Sequence, residues 1–164
     1  MHPVIPLLQL LNAVSRVEGR KKMQKTVHIL KELGVPFQER FEYSYYGMYS
    51  AQLKAELDTL EYEGLVKESE CFGVNKTFII EAEPKAAELL AEVGITEAPA
   101  WLEVAKHLNS LSAQVLEGIS TILFLRRTEK DETVIRQRLL SLKPHLEQIV
   151  ENCFKEADRL PKLA

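Results

Sequence analysis

A mainly helical α+β fold is predicted for these 164 residues by three observations. Apolar residues recur every three to four positions over most of the chain, β-favouring runs are confined to residues 41–45 and 65–80, and glycine or proline stops separate the segments. The order in the first half is helix, helix, short strand, helix and two-stranded hairpin, which is the order of a winged helix with the hairpin as its wing. Residues 1–83 are therefore read as a winged-helix-like module and residues 84–164 as a helical packing or dimerisation region, together one compact unit. A chain of this size buries about 70% of its unfolded surface in a single core and needs no staples.

Leu7, Leu8, Leu11 and Val14 mark the inward face of a first helix from about residue 5 to 17, which Gly19 ends. A second helix, about 20 to 33, turns Met23, Val27 and Leu30 inward and stops at Gly34 and Pro36. Rotation by about 100° per residue then puts Lys21, Lys25 and His28 on its outward face, near Arg20 and Lys22. Cations at a helix N-terminus oppose the macrodipole, so this patch, with Lys76 of the wing, is the candidate site for an anion or a nucleic acid.

Residues 41–45 alternate as a strand would, with Phe41, Tyr43 and Tyr45 on one face. That leaves Tyr46 and Tyr49 as candidates for exposure and partner contact. Gly47 breaks the strand. Ser50 is the expected N-cap of a third helix of about 13 residues, with Leu53, Leu57 and Leu60 as its buried stripe and Gly64 as its stop. Its opposite face carries Ala51, Ala55 and Tyr62, flanked by Asp58 and Thr59, and Lys54 is its single cation. Base edges and phosphates are read by Arg, Lys, Asn and Gln, so this composition favours packing against protein, most simply the C-terminal half of the chain. Residues 65–71 and 76–80, joined through Gly73, Val74 and Asn75, form the hairpin.

Pro84 and Pro99 open two further helices. Leu111, Val115, Leu116, Ile119, Ile122, Leu123 and Leu125 form a band wide enough to bury the next helix on most sides. Beyond a polar turn at 126–132, Leu139, Leu142, Leu146, Ile149 and Cys153 step by three and four. This is the seam of an antiparallel helix pair or of a homodimer through the C-terminal helices, kinked at Pro144.

The net charge of −3 is evenly spread, with 11 cationic against 12 acidic residues in 1–85 and 10 against 12 in 86–164. Global charge therefore gives no support for nucleic-acid binding. Cys71 and Cys153 lie far apart without metal-ligand spacing, and both default to small buried hydrophobes. The two isolated cysteines point to a cytoplasmic location, and the apolar stretch 119–125 is far shorter than the roughly 20 residues of a membrane span, so no membrane contact is expected. No phosphate loop, nucleophile elbow or zinc motif appears, and His2, His28, His107 and His145 are scattered. Neither a catalytic site nor a cofactor is expected.

The run at 19–68 resembles the YwgA-like family of uncharacterised bacterial proteins, through KMQK at 22–25, YGMYS at 46–50 and LDTLEYEGLV at 57–66. More distantly it resembles the Panacea or SocA-like domain of antitoxins and proteolytic adaptors, in which Pro commonly stands where this chain has Met48. The first resemblance implies a winged-helix-like fold without an established activity, the second the neutralising or adapting of a partner protein. Neither supplies a catalytic residue. The function expected is thus a non-enzymatic interaction or regulatory protein, with a DNA-binding regulator and an antitoxin-like adaptor as the alternatives.

Overall fold

The computed structural model describes residues 2–45, 47–71 and 77–163. Tyr46, Lys76 and the hairpin turn at 73–75 lie outside the described residues. The chain runs α1 (Ile5–Val14), β1 (Arg16–Glu18), α2 (Arg20–Glu32), β2 (Glu42–Ser44), β3 (Gly47–Tyr49), α3 (Ala51–Tyr62), β4 (Val66–Cys71) and β5 (Thr77–Ala82). It continues through α4 (Pro84–Glu92), α5 (Leu102–Ser110), α6 (Ala113–Leu125), α7 (Glu132–Leu142), a 3-10 helix (Pro144–Ile149) and α8 (Val150–Arg159). The mainly helical α+β class holds.

The first helix is shorter than its apolar pattern suggests. Ser15 takes φ 69°, and Val17, 1% exposed, pairs with Ile80 as the middle of β1. The main sheet is antiparallel with order β1-β5-β4, and β2 and β3 form a separate hairpin in which Tyr43 faces Met48. Because β2 ends at Ser44, the alternation that would have tucked Tyr45 inward ends there too, and Tyr45 is 92% exposed. Cys71, the last residue of β4, is exposed and not the buried hydrophobe expected.

The largest departure concerns α2. It is the central helix, and residues 22–30 are all buried, because α6, α5, β1 and β3 pack around it. Lys25 and His28, expected on an outward face, are 2% and 0% exposed. Periodicity marks one apolar face and leaves the others to solvent by default; here the polar side chains of the other faces find partners inside. Gln24 grips the backbone of Ser50 twice, Nε2 donating to its carbonyl at 2.9 Å and Oε1 accepting from its N–H at 2.8 Å. Ser50 in turn caps α3, its Oγ accepting from Leu53 N–H at 3.1 Å. His28 Nδ1 lies 2.6 Å from Ser120 Oγ of α6, and burial, with Arg127, Lys25 and Lys31 nearby, lowers its pKa to about 3. The imidazole is therefore neutral at pH 7.

Leu53, Leu57 and Leu60 point into the core, as their spacing requires. The C-terminal half does not cover the other side of α3, because α5 and α6 are spent on α2. α6 is buried on most of its surface, and α8 lies along it. Leu139, Leu146 and Cys153 of the C-terminal seam are each 0% exposed within this chain, whereas Leu142 is 46% exposed. Pro144 ends the helical run outright: α7 stops at Leu142 and a 3-10 helix begins.

Candidate functional site

The cations of the expected patch are dispersed. Lys22, Lys25 and His28 are buried in α2, while Arg20 and Lys21 remain at its N-terminal end. With Lys54 and Tyr49, Arg20, Lys21 and Lys25 line a cavity of about 270 Å3 between α2 and α3. Their charged heads turn to acceptors of the same chain. Arg20 Nη2 donates to Glu68 and Asp58 at 2.7 Å each, Lys54 pairs with Asp58 at 3.2 Å, and Lys25 Nζ donates to Met48 O at 2.7 Å. The anionic partner that the N-terminal cations call for is thus largely internal.

Its centre is Glu117, a carboxylate on α6 that is 2% exposed. Lys21 Nζ lies 2.9 Å from one oxygen and Lys143 Nζ 3.0 Å from the other, with His145 Nε2 at 3.4 Å. Burial alone would push its pKa up; the hydrogen bonds and charges of Lys21 and Lys143 override that and hold it at about 2. Lys25 stands beside the same cluster, its pKa lowered to about 8 by burial, with Glu117 drawing it up and Lys143 and Lys21 pressing it down. Gly47, at φ 87°, lets the β2–β3 hairpin enter here: a Cβ would stand 3.1 Å from Lys25 Nζ and 3.4 Å from Lys143 Nζ.

The residues predicted for a protein contact have the opposite fate. Ala51 and Ala55 are exposed, Tyr62 is 92% exposed and Tyr49 is half-buried. Next to them a groove of about 710 Å3 opens between the N-terminal end, α3 and α4. Ala55, Glu56 and Thr59 form one wall, Leu89 and Val93 the other, and Glu63 stands at the rim. The composition of this region is apolar with an acidic edge.

Glu56 also faces Glu39, which is 0% exposed. Both carboxylate oxygens of Glu39 and Oε2 of Glu56 are buried without a hydrogen-bond partner. Burial first, then the hydrogen bond and charge of Glu39, raise the Glu56 pKa to about 8. Folding therefore favours the protonated form. The stabilisation is complete below the unfolded value of 4.5 and is lost as pH rises through about 8. Glu56→Gln, which keeps the hydrogen bond and removes the charge, is expected to raise Tm at pH 9 by about 2–4 °C and to leave it unchanged at pH 5. A melt at both pH values checks this.

Sequence reasoning missed Glu39 and Glu117, although each left a signal. Glu117 is the single charged residue of a largely apolar helix, and Glu39 falls in a strict inward alternation with Val35 and Phe37. Among the described residues no three His, Cys, Asp or Glu side chains converge as a metal site, and no helix is long and apolar enough to cross a membrane. Burial pushes the Cys153 thiol up to about 11.

The geometry thus defines a mainly helical protein with small antiparallel sheets, in which the exposed face of α3 lies beside a groove. No protein-family model matches the chain. It is 27% identical over 129 residues to the uncharacterised protein YwgA of Bacillus subtilis (strain 168), a match that covers 77% of this chain and 76% of that one.

Proposed function

We propose that this protein is a non-enzymatic regulatory protein with a winged-helix-like N-terminal module, which binds a partner protein through the outward face of α3 and the adjoining groove. The winged-helix-like part is supported by the order α1-β1-α2-α3-β4-β5, with β1 pairing the second hairpin strand. The binding part rests on one observation: Ala51, Ala55 and Tyr62 stand open beside an apolar groove instead of packing against the C-terminal half. A small-residue helix face with an exposed tyrosine suits close approach by another chain. An antitoxin-like or adaptor role is one form of the same reading.

Ala55→Arg places a bulky cation on that face at a site where substitution costs stability within about 0.5 kcal/mol. The variant is expected to melt as the unsubstituted protein does, yet to lose about tenfold or more in affinity for the protein that co-purifies from the native host. Retention of that protein at full affinity would move the contact elsewhere. A DNA-binding regulator is less well supported, since Arg20, Lys21 and Lys54 already pair with Asp58, Glu68 and Glu117. Gel-shift titrations between about 50 and 200 mM salt are expected to show no steep salt-dependent binding. A steep slope that falls after Lys21→Ala would reverse the order of the two readings. Association of two copies through the C-terminal helices would rest on Leu142, and sedimentation at micromolar concentration with Leu142→Glu as control tests it.

A further inference from the structure

We infer that the cavity between α2 and α3 binds a small amphipathic acid, its aromatic or alkyl body inside and its carboxylate at the mouth among Arg20, Lys21 and Lys54. The site is separate from the docking groove, and no residue lines both.

The walls fix the body of the ligand. The cavity holds about 270 Å3, at the lower edge of the range of roughly 300–1,000 Å3 that small-molecule sites occupy. Leu57 and Tyr49 line it, and Lys21, Lys25 and Lys54 contribute their aliphatic stems, because their ammonium ends reach Glu117, Met48 O and Asp58. The amide of Gln24 is held by the backbone of Ser50. A ligand body here meets mostly carbon. Bare phosphate, which needs polar walls, fits poorly, whereas a compact apolar group fits well.

The charge fixes the head. Every charged residue that lines the cavity is a cation. The Lys21 and Lys54 side chains are 53% and 57% exposed, which places their ammonium groups at the solvent edge. Their partners within the chain leave donors to spare. An ammonium carries three N–H donors, and Lys21 directs one to Glu117 and Lys54 one to Asp58. A guanidinium carries five, and among the described residues Arg20 turns Nε and Nη2, but not Nη1, to Glu68 and Asp58. Lys54 and Asp58 are both exposed, so their pair holds loosely and the ammonium can be shared with a second anion. α2 also begins at this edge without a side-chain cap, and a negative charge is favoured at that end of a helix.

The test titrates the full chain with naphthoate, its neutral amide naphthamide and inorganic phosphate, and follows the backbone amide signals by NMR. Naphthoate is expected to bind with a Kd on the order of 0.1–1 mM, a range open to a ligand of this size, and to shift the signals of Lys21, Tyr49 and Lys54. Naphthamide should bind about fivefold more weakly, and phosphate should leave those signals in place. Lys54→Met keeps the stem and removes the charge at an exposed position; it is expected to weaken naphthoate about threefold to fivefold at an unchanged melting temperature, and Lys54→Arg should restore the affinity. Naphthoate and naphthamide that bind alike, or full affinity in Lys54→Met, would overturn the assignment of the carboxylate to this mouth. Phosphate that shifts the same signals as strongly as naphthoate would reduce the site to a cationic surface. No shift at these residues with any of the three would overturn the cavity as a ligand site.

Discussion

Glu117→Gln is expected to lower the melting temperature at pH 7 by about 10 °C, the largest effect of any polar substitution in this protein. Removing one member of a buried ion pair leaves an uncompensated charge and costs about 3–5 kcal/mol, and a domain of this size loses about 2–4 °C per kcal/mol. Most of the cost lies with Lys143, which is 5% exposed; the Lys21 side chain is 53% exposed, so water screens its share. Without the carboxylate, Lys25 and Lys143 would confront each other across Gly47 with no counter-charge on α6. Two pH dependences follow. In the unsubstituted protein the depressed Glu117 pKa gives stability that is present above 4.5 and lost as pH falls toward about 2. In the variant Lys25, whose pKa is already lowered to about 8 and which Glu117 no longer draws up, is stabilised by losing its proton, so the deficit should shrink as pH rises toward and above about 8. A melt within about 2 °C of the unsubstituted protein at pH 7 would mean that water, and not Glu117, balances the lysines.

That cluster also marks the boundary between what local sequence reveals and what only the assembled chain does. α2, α3, the β4–β5 hairpin and α6 were legible because their signals are local: apolar spacing, Ser50 as a cap, and glycines where the backbone needs positive φ. β1 and β3 were not, since three residues carry too little alternation to compete with a neighbouring helical pattern. The outward composition of α3 was read correctly, but its covering was not. Whether Ala51 and Ala55 meet solvent or a helix depends on where α5 and α6 settle, which no local pattern states. α2 misled for the same reason in reverse. Lys25 and His28 are polar, so a one-faced helix would expose them, and only the partners Met48 and Ser120, distant in sequence, make their burial tolerable. The candidate site was thus half visible: Ala51, Ala55 and Tyr62 by composition, Glu39 and Glu56 only once the loop and the helix were brought together.

The second large effect is expected at Gly118, where Gly118→Ala should destabilise the protein although alanine is the better helix former. In an exposed helix interior the change would gain about 1 kcal/mol. Here the added methyl would lie 2.9 Å from Cys153 Cβ, closer still to its Sγ, and 3.6 Å from Leu146 Cδ1. Cys153 and Leu146 are both 0% exposed, so neither has room to withdraw, and α6 and α8 must part. Overpacking of this kind costs about 1–3 kcal/mol, which outweighs the propensity gain and predicts a Tm lower by about 5 °C. Gly118→Val should cost more, because a branched side chain meets the same wall. Cys153→Ala removes the sulfur and should restore part of the loss in Gly118→Ala, the two substitutions being coupled through one contact. A double variant no more stable than Gly118→Ala alone would place the strain outside the α6/α8 contact. Gly118 adjoins Glu117, and Lys143 and His145 lie on the segment leading into α8. Parting the helices would therefore draw the lysine from its carboxylate. Gly118→Ala and Glu117→Gln combined should cost less than their separate losses added together, since each disrupts part of the same construction.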